Sequence, residues 1–370
     1  MDTMQYKVQK LLNEAGIAIN GNRKFDVQVH EDRFFQKIFA EGSLGLGEAY
    51  MEGWWDCEAL DEFIYRVTAA RLDRKVQPVR EIGTILKATL MNLQKPSLAF
   101  EIGKHHYDIG DDLYEAMLDK RMNYSCGYWK DVKNLDQAQE NKLDLICRKL
   151  GLEKGMRVLD IGCGWGGALK YAAEKYGVEG VGITVSRNQA ERAKKECKDL
   201  PIEIRLEDYR DLQGHFDHIW SVGMIEHVGV KNYRTFMQVT RRCLKPDGLF
   251  LLHTIGGNRS VNKADPWLGK YIFPNSMIPS IRQLGLAMED LFVMEDWHNF
   301  GPDYDKTLMQ WHKNVLNHWD QLKENYSERF FRMWQYYLLS CAGVFRSRKV
   351  NLWQIVLSPE GVPGGYQSVR

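Results

Sequence analysis

The stretch RVLDIGCGWGG, residues 157–167, carries the strongest indication of the fold. Its first half is rich in β-branched and leucine side chains, which predicts a short buried strand, and the amphipathic segment 168–176 predicts the helix that follows. Glycines at alternate positions permit a tight turn between them, where a Cβ atom would hold a ligand away from the backbone. The acidic residue and the glycines of this turn are Asp160, Gly162, Gly164 and Gly166. The combination predicts a nucleotide-binding turn.

The next predicted strand, 180–183, separates two classes of nucleotide enzyme. It ends at Thr184, and Ser186 with Gln189 predicts a capping box at the start of the following helix. Dinucleotide enzymes usually place Asp or Glu at this strand end to bind the ribose 2′-hydroxyl. The form DIGCGWG at 160–166, together with Thr184 and Gln189, therefore resembles the S-adenosylmethionine-dependent methyltransferases more than the dehydrogenases.

Strands and helices continue to alternate after this point, which predicts an α/β fold. We expect a doubly wound, mostly parallel, seven-stranded methyltransferase sheet with a small helical N-terminal domain. Asp208 and Tyr209 follow the third strand, where this fold usually meets the adenine. A turn is predicted at 245–248. The predicted strands are 158–161, 180–183, 202–206, 216–222, 249–253, 292–295 and 352–357.

The chain divides into three predicted parts. Residues 1–95 form a helical domain that associates with lipid or membrane, 96–125 form a linker that covers the cofactor, and 126–370 form the catalytic domain. Lid insertions are predicted at 256–291 and 303–349, because ligands bind at the carboxyl edge of such sheets. Apolar stripes within 308–322 and 330–344 indicate either core or the walls of a substrate cavity. The predicted N-terminal helices are 5–15, 32–40, 46–52, 60–70 and 79–93.

Composition excludes several function classes. With 370 residues and a net charge of +1, the chain has no global attraction to nucleic acid. No apolar run approaches the roughly 18 residues that a membrane span needs, and the N-terminus is acidic where a signal peptide is basic. We therefore expect a cytoplasmic protein. Its seven cysteines form no C-x-x-C pair, so neither a disulfide framework nor a metal site is indicated.

The segment 66–95 is unusually basic. It contains seven basic residues against two acids, interleaved with apolar side chains. This pattern fits attachment to an anionic bilayer surface. A solvated helix face explains the same pattern equally well.

Polar side chains fall at the predicted carboxyl ends of several strands. Glu226 follows the fourth strand, His253 ends the fifth, and Tyr304 comes after the sixth. The turn YSCGY at 124–128 is rich in hydroxyls that can fold back over the cofactor. A single buried His or Tyr is more often a structural group. Convergence from four separate loops on one edge favours a site.

Ten segments together carry a specific resemblance that spans nearly the whole chain. The chain resembles the bacterial cyclopropane-fatty-acyl-phospholipid synthases. The mycolic-acid cyclopropane synthases share the later part but lack most of a domain like 1–95, which favours the phospholipid-acting branch. The segments are GSLGLGEAYMEGWW, HYDIGDDLY, MNYSCGYW, VLDIGCGWGG, VGITVSRNQ, SVGMIEHVG, LLHTIG, YIFPN, MEDWHNFGPDY and SERFFRMWQYYL.

The resemblance implies methylene transfer from S-adenosylmethionine to a cis double bond of an acyl chain in a membrane phospholipid. It also implies a bound bicarbonate as the base, peripheral membrane association and a homodimer. The implied bicarbonate ligands are Cys126, Glu226, His253 and Tyr304, with the backbone at Ile255. The implied cofactor site is Tyr124, Ser125, Asp160, Gly162, Gly164, Gly166, Thr184, Gln189, Asp208 and Tyr209.

Three alternatives stay open. Cys341 matches a cysteine that descriptions of this family sometimes call catalytic, but its place in a helical stripe favours packing. The same carbocation chemistry can end in a methyl-branched or hydroxylated chain. A chain with a relic cofactor fold that only binds lipid is the alternative from another class, and the intact polar set argues against it.

Overall fold

The computed structural model describes residues 3–75 and 110–370. These residues form two compact units, each assembled from segments that are distant in sequence. Of the described residues, unit 1 comprises 3–75, 262–274 and 304–350, and unit 2 comprises 110–261, 275–303 and 351–370. The predicted helix 79–93 and the first part of the predicted linker, 96–109, lie outside the described residues.

Helices and strands alternate along most of unit 2, as expected. In chain order the helices are α1 (Thr3–Asn13), α2 (Arg33–Glu41), α3 (Ser43–Met51), α4 (Leu60–Ala69), α5 (Asp111–Met117), α6 (Leu135–Lys149), α7 (Gly167–Tyr176), α8 (Arg187–Glu196), α9 (Tyr233–Cys243), α10 (Pro266–Tyr271), α11 (Ile281–Met288), α12 (Pro302–Leu322) and α13 (Glu328–Arg346). The strands are β1 (Gln28–Val29), β2 (Trp55–Asp56), β3 (Arg157–Ile161), β4 (Glu179–Thr184), β5 (Ile202–Leu206), β6 (Phe216–Val222), β7 (Leu244–Gly257), β8 (Val293–Asn299) and β9 (Val350–Ser358).

The sheet of unit 2 has seven strands in the order β5-β4-β3-β6-β7-β9-β8. Strand β3 pairs in parallel with both β4 and β6, whereas β8 and β9 are antiparallel. The chain therefore winds to one side of β3 through β4 and β5, and then to the other side through β6 and β7. Such a reversal opens a crevice at the carboxyl ends of the strands. The predicted doubly wound, mostly parallel, seven-stranded sheet is confirmed.

Consecutive residues of each strand enter two separate cores. Leu159 packs in the cluster that contains Phe236, whereas Val158 packs in the cluster that contains Leu169. Because both faces of the strands are buried, consecutive residues are apolar and the strands appear in the sequence as continuous apolar runs. A Cβ atom at Gly182 of β4 would lie 2.7 Å from Leu169, so glycine lets α7 pack closely on the sheet.

Two strands extend at least four residues beyond their predicted bounds. β7 spans Leu244–Gly257, so the prediction that His253 ends this strand is wrong, and His253 lies inside it. The predicted turn 245–248 is an irregularity within β7, because Phe216 pairs with Leu244 while His218 pairs with Leu249. β8 continues to Asn299, opposite Trp353, beyond the end predicted at 295. In both cases pairing with a neighbouring strand, rather than the local apolar pattern, sets the boundary.

Unit 1 contains α1–α4 near their predicted positions, together with α10, most of α12 and α13. The two-residue strands β1 and β2 form a small antiparallel pair that was not predicted. Helices α4 and α13 approach closely, since a Cβ atom at Gly343 would lie 2.4 Å from the carbonyl oxygen of Asp61. Much of the two predicted apolar stripes is buried core within this unit.

Candidate active site

The predicted nucleotide turn lies at the carboxyl end of β3, beside the point where the strand order reverses. Gly162, Gly164 and Gly166 have φ angles of 90°, 54° and 84°, in the region that favours glycine. A Cβ atom at Gly162 would lie 2.9 Å from Met224, whereas one at Gly164 would meet no described atom within 4 Å. The backbone at Gly164 therefore borders open space that a ligand can enter.

Asp160 is the buried acid of this turn, with 2% of its surface exposed. Burial raises the pKa of its carboxyl to about 7, opposed by the Trp220 indole and the Lys142 ammonium. Among the described residues its Oδ1 atom has no hydrogen-bond partner. A buried carboxyl oxygen in this state is unfavourable unless a ligand supplies a donor or a cation.

Thr184 connects the end of β4 to α8 through buried hydrogen bonds. Its hydroxyl donates to Gln189 Oε1 at 2.8 Å and accepts from the Ser186 amide at 3.1 Å. Ser186 Oγ accepts from the Gln189 amide at 3.4 Å, which caps α8. One half of the predicted capping box is therefore wrong. Thr184 takes the place of the Gln189 side chain on the Ser186 amide, because that side chain accepts from Thr184.

Asp208 and Tyr209 lie directly after β5. Asp208 Oδ1 accepts from the Arg210 amide at 3.0 Å and so begins a short 3-10 turn. The Tyr209 ring packs edge-on against Phe236, with ring centroids 5.3 Å apart. Burial raises the pKa of Tyr209, and its hydroxyl has no hydrogen-bond partner within the described part of the chain.

Helix α6 fixes the segment predicted to cover the cofactor. Lys142 Nζ donates to Asn123 Oδ1 at 3.0 Å and to Ser125 Oγ at 3.1 Å. One turn earlier, Gln139 Nε2 donates to the Ser125 carbonyl at 2.7 Å. All four side chains are buried. The conformation of the YSCGY turn thus depends on two polar residues of one helix face.

Tyr124 and Cys126 flank Ser125 in this turn. The Tyr124 ring lies 5.3 Å from that of Tyr114, which in turn lies 5.3 Å from that of Trp165 in the glycine turn. Cys126 is fully buried, and its thiol donates to the Gly127 carbonyl at 3.1 Å. Aromatic contacts therefore link the YSCGY turn to the glycine turn.

Lys142 also supplies a buried positive charge. Burial lowers the pKa of its ammonium to about 8, opposed by attraction to Asp119 and Asp160. Its charge also lowers the pKa of His253. The ammonium of Lys142 therefore lowers the pKa of a residue predicted to bind the cofactor, Asp160, and of one predicted to bind bicarbonate, His253.

Glu226 lies after β6 in a short 3-10 turn, with 7% of its surface exposed. Its Oε1 atom accepts from the Ile255 amide at 2.8 Å. Its Oε2 atom is buried without a hydrogen-bond partner in 3–75 or 110–370. Burial raises the pKa of the carboxyl to about 7, against the lowering effect of the Ile255 amide. Glu226 can therefore hold or release a proton near neutral pH.

His253 lies on β7 opposite Val222 of β6, with 1% of its surface exposed. Its Nδ1 atom is 3.3 Å from Nε2 of Gln354, and its own Nε2 atom has no partner among the described residues. Burial lowers the pKa of the imidazole well below its ordinary value, and the ammonium groups of Lys142 and Lys149 lower it further. His253 is therefore neutral at physiological pH.

Tyr304 and Cys341 belong to unit 1. The Tyr304 ring packs against Phe345 and Trp311, with centroid distances of 4.5 and 6.0 Å. Burial, together with the nearby Asp265, raises the pKa of Cys341 to about 12. A thiol with such a pKa is a poor nucleophile, which favours packing for Cys341.

The sheet of unit 2 brings Asp160, Thr184, Glu226 and His253 to its carboxyl edge. Sequence reasoning missed four buried polar residues that support this edge. Lys142 and Lys149 lie seven residues apart on α6, on the face that also buries Leu135, and this spacing was a usable signal. The missed residues are Gln139, Lys142, Lys149 and Gln354.

The described residues also bear on membranes and metals. No helix in 3–75 or 110–370 is long and apolar enough to cross a bilayer. The same residues contain no group of three or more His, Cys, Asp or Glu side chains arranged to hold a metal ion.

The doubly wound sheet, the glycine turn at its crevice and Thr184 at the second strand end define a chain of the S-adenosylmethionine-dependent methyltransferase class. Comparison with known proteins refines this class. The family model described as mycolic acid cyclopropane synthetase matches residues 94–355. The chain belongs to this family, and the prediction of an enzyme of this kind is confirmed.

Individual relatives agree with the family. The chain is 52% identical over 371 residues to the cyclopropane-fatty-acyl-phospholipid synthase of Escherichia coli K12, covering 100% of this chain and 97% of that protein. The Mycobacterium tuberculosis cyclopropane synthase MmaA2 is 31% identical with a TM-score of 0.66, over 70% of this chain and 97% of that one. The mycolic acid cyclopropane synthase CmaA1, solved with SAH and CTAB, is 31% identical with a TM-score of 0.65 over the same shares.

Proposed function

We propose that the chain transfers a methylene group from S-adenosylmethionine to the cis double bond of an unsaturated acyl chain in a membrane phospholipid, closing a cyclopropane ring. Similarity over nearly the full length of the Escherichia coli synthase supports this substrate class. The observation that carries the proposal is the pair of buried atoms Glu226 Oε2 and His253 Nε2, neither of which has a partner in the described residues. Glu226 follows β6, and His253 lies on β7 opposite Val222, the last residue of β6.

We assign the glycine turn, Asp160 and the end of β4 to S-adenosylmethionine. When bound, this molecule supplies an electrophilic sulfonium methyl group. Asp160 is suited to a cationic ammonium, because a nearby positive charge lowers the pKa of a buried carboxyl and holds it ionised. Gly164 lets the backbone approach the ligand, and Thr184 orients Gln189 at the neighbouring strand end. The aromatic contacts of Tyr124 and the hydrogen bonds of Ser125 keep the covering turn in place.

The residues of the carboxyl edge also fit a bicarbonate ion, which supplies a base for the proton released on ring closure. The Ile255 amide occupies Oε1 of Glu226, so Oε2 is left for the ion. Because its pKa is about 7, Glu226 can share a proton with an oxyanion through a short hydrogen bond. Because His253 is neutral rather than an imidazolium, it does not transfer a proton to the bicarbonate, which stays able to act as a base. Cys126, Tyr304 and the backbone at Ile255 remain predictions from the resemblance.

Burial of this edge serves the reaction in two ways. An alkene is a weak nucleophile, so it must be held in line with the donor carbon, and good orientation contributes roughly 7 kcal/mol or more in favourable cases. Water must also stay away from a carbocation, since its attack would give an alcohol. The buried Phe300 ring, whose centroid lies 5.9 Å from that of the His253 ring, provides apolar and electron-rich surroundings.

We further propose that the basic segment 66–95 docks on anionic headgroups. In its described part Arg66 pairs with Glu62 at 2.8 Å, and Lys75 pairs with Glu14. Arg71 and Arg74 are exposed and can face lipid. Binding to anionic vesicles should weaken as salt concentration rises, and binding that ignores both salt and lipid charge would refute the docking. Peripheral association and the homodimer stay predictions.

The decisive experiment uses vesicles of unsaturated phospholipid and S-adenosylmethionine with a deuterated methyl group. Mass analysis should find acyl chains with a ring that retains two of the three deuterium atoms. Retention of all three in a methyl-branched chain, or an added hydroxyl, would indicate the alternative products. Lipid that stays unaltered with pure, folded protein would overturn the proposal.

The role of Glu226 is tested in the same assay with and without added bicarbonate. Glu226→Gln should lose most turnover and its response to bicarbonate, because an amide cannot share a proton with the ion. The matched control is Glu153→Gln, which changes an exposed carboxyl before β3 and should leave both unchanged. Full turnover of Glu226→Gln with an intact bicarbonate response would remove Glu226 from the site.

A further inference from the structure

Gln354 is a fully buried polar residue inside the apolar run Leu352–Leu357 of β9, with 0% of its surface exposed. Its Nε2 atom lies 3.3 Å from Nδ1 of His253. Its Oε1 atom has no hydrogen-bond partner in the described ranges. A buried amide at this position loses hydration, so the contact with His253 is the interaction that compensates for it.

The contact determines which ring nitrogen of His253 carries the proton. An amide nitrogen donates and has no acceptor capacity, so Nδ1 must be the acceptor. A neutral imidazole has a single N–H group, which is then on Nε2. Low pKa keeps the ring neutral, because burial and the charges of Lys142 and Lys149 all oppose protonation. The Nε2 atom, buried and without a partner among the described residues, is consequently a donor.

We propose that Gln354 is a positioning residue that fixes the Nε2–H tautomer of His253 and so presents a hydrogen-bond donor to an oxygen of the bound oxyanion. This inference rests on the proposed function, since it concerns the same site. In the opposite tautomer the Nε2 lone pair would face the anion's oxygens and repel them. The orientation of one amide therefore decides whether His253 attracts or repels the anion.

The tautomer is measured directly by nitrogen NMR on the full-length protein with ¹⁵N-labelled histidine. The signals of His253 are identified by their loss in His253→Gln. We expect one protonated and one unprotonated nitrogen, with the proton correlating to the ring hydrogens as Nε2–H, unchanged between about pH 6 and 8. Protonation at Nδ1, or at both nitrogens, would overturn the inference whatever the activity.

Gln354→Glu tests the consequence of the tautomer. A carboxylate only accepts, so it should move the proton to Nδ1 or produce an imidazolium. We expect kcat to fall about 10- to 100-fold, the range for loss of a supporting hydrogen bond behind a ligand, with KM for S-adenosylmethionine nearly unchanged. An unaltered tautomer and kcat in a folded variant would contradict the inference.

The chain offers a matched control. Gln335 Nε2 lies 3.4 Å from Nε2 of His312 in unit 1, which repeats the Gln–His contact elsewhere. Gln335→Glu should leave kcat and the signals of His253 unchanged, and an equal loss of kcat there would count against a specific role for Gln354. If the wild type has the Nε2–H tautomer but modifies no lipid, the proposed function fails while the tautomer assignment stands. If lipid is modified with the proton on Nδ1, only this inference fails.

Discussion

Two regions of the molecule use polar side chains in opposite ways. In unit 1, Arg346 links α13 to α4 and α12 through Asp61 at 2.7 Å, Asp305 at 2.9 Å and Glu62 at 3.4 Å. At the carboxyl edge of unit 2, Asp160, Glu226 and His253 each keep one buried polar atom without a partner among the described residues. Unpaired buried polar groups lower stability.

The difference separates structural from functional use of polar residues. A network in which the charged groups pair with one another stabilises the fold and leaves no polar atom available to bind a ligand. A site with unpaired buried atoms lowers the stability of the protein, but these atoms remain available to bind a ligand. Substitutions in unit 1 should therefore change stability most, whereas substitutions at the carboxyl edge should change chemistry most.

The largest effect is expected at Glu226. Glu226→Gln should lower kcat about 100-fold or more, as for loss of a group that handles a proton, and yet should not destabilise the protein. The folded pKa of about 7 lies above the ordinary value of 4.5. Wild-type protein therefore loses stability as the pH rises from about 4.5 to 7, because the unfolded state releases a proton that the buried carboxyl of the folded state retains. Glutamine cannot ionise, so the variant should gain stability relative to wild type across this window.

Urea unfolding at pH 4.5 and pH 8, beside the lipid assay, measures both halves of this prediction. The advantage of Glu226→Gln should be larger at pH 8. If the variant is less stable than wild type at pH 8, Glu226 contributes to stability as Arg346 does. The proposed difference between the two regions would then be wrong.

Gly343→Ala should give the largest loss of stability in unit 1. The added Cβ atom would lie 2.4 Å from the Asp61 carbonyl and 2.8 Å from the Tyr65 amide, both backbone atoms that cannot yield easily. We expect a loss of about 3 kcal/mol in the free energy of unfolding, the upper range for overpacking. Denaturant titration at constant pH measures it.

Gly285→Ala is the control of opposite sign. Gly285 lies inside α11, and a Cβ atom there would meet no described atom within 4 Å. Alanine should therefore stabilise by about 0.5 to 1 kcal/mol through helix propensity. Equal losses at both positions would show that crowding against α4 is not the cause.

Arg346→Met should cost about 2 kcal/mol, because it removes the cation paired with Asp61 and Asp305 in a partly buried place and leaves Glu62 paired with Arg66 alone. Burial of the network is incomplete, so solvent reduces the loss. The control is Arg241→Met, which removes a pair with the exposed Glu360 and should cost less than about 0.5 kcal/mol. Similar losses in the free energy of unfolding of the two variants would show that the Arg346 network contributes no more than an exposed ion pair.

The same contrast explains which features could be predicted from the sequence. Apolar runs and the glycine turn located every strand of the large sheet, because burial on both faces leaves a local signature. The position of Thr184, Glu226 and His253 at one edge could be predicted because a parallel sheet collects its strand ends there. The pair β1 and β2 has too few residues to leave a pattern.

The missed residues share one physical cause. Lysine and glutamine are normally solvated, so local reasoning places them on the surface. Lys142 is buried because partners distant in sequence, Asn123 and Ser125, accept its hydrogen bonds. Gln354 was detectable as a lone amide within an apolar strand, but its partner His253 is known only once β7 and β9 are neighbours.

Gly164→Ala is expected to lower stability less than Gly343→Ala or Arg346→Met and to test the edge most specifically. A side chain at φ 54° costs about 1 kcal/mol, and the Cβ atom meets no described atom within 4 Å. Affinity for S-adenosylmethionine, measured by calorimetry, should nevertheless fall about tenfold, since each 1.4 kcal/mol lost in ligand contact has this effect. The control is Gly151→Ala, with φ 61° and equally open space, after α6 and before β3. It should lose the same stability and no affinity, so equal affinities in the two variants would mean that the glycine turn is structural and that the ligand binds elsewhere.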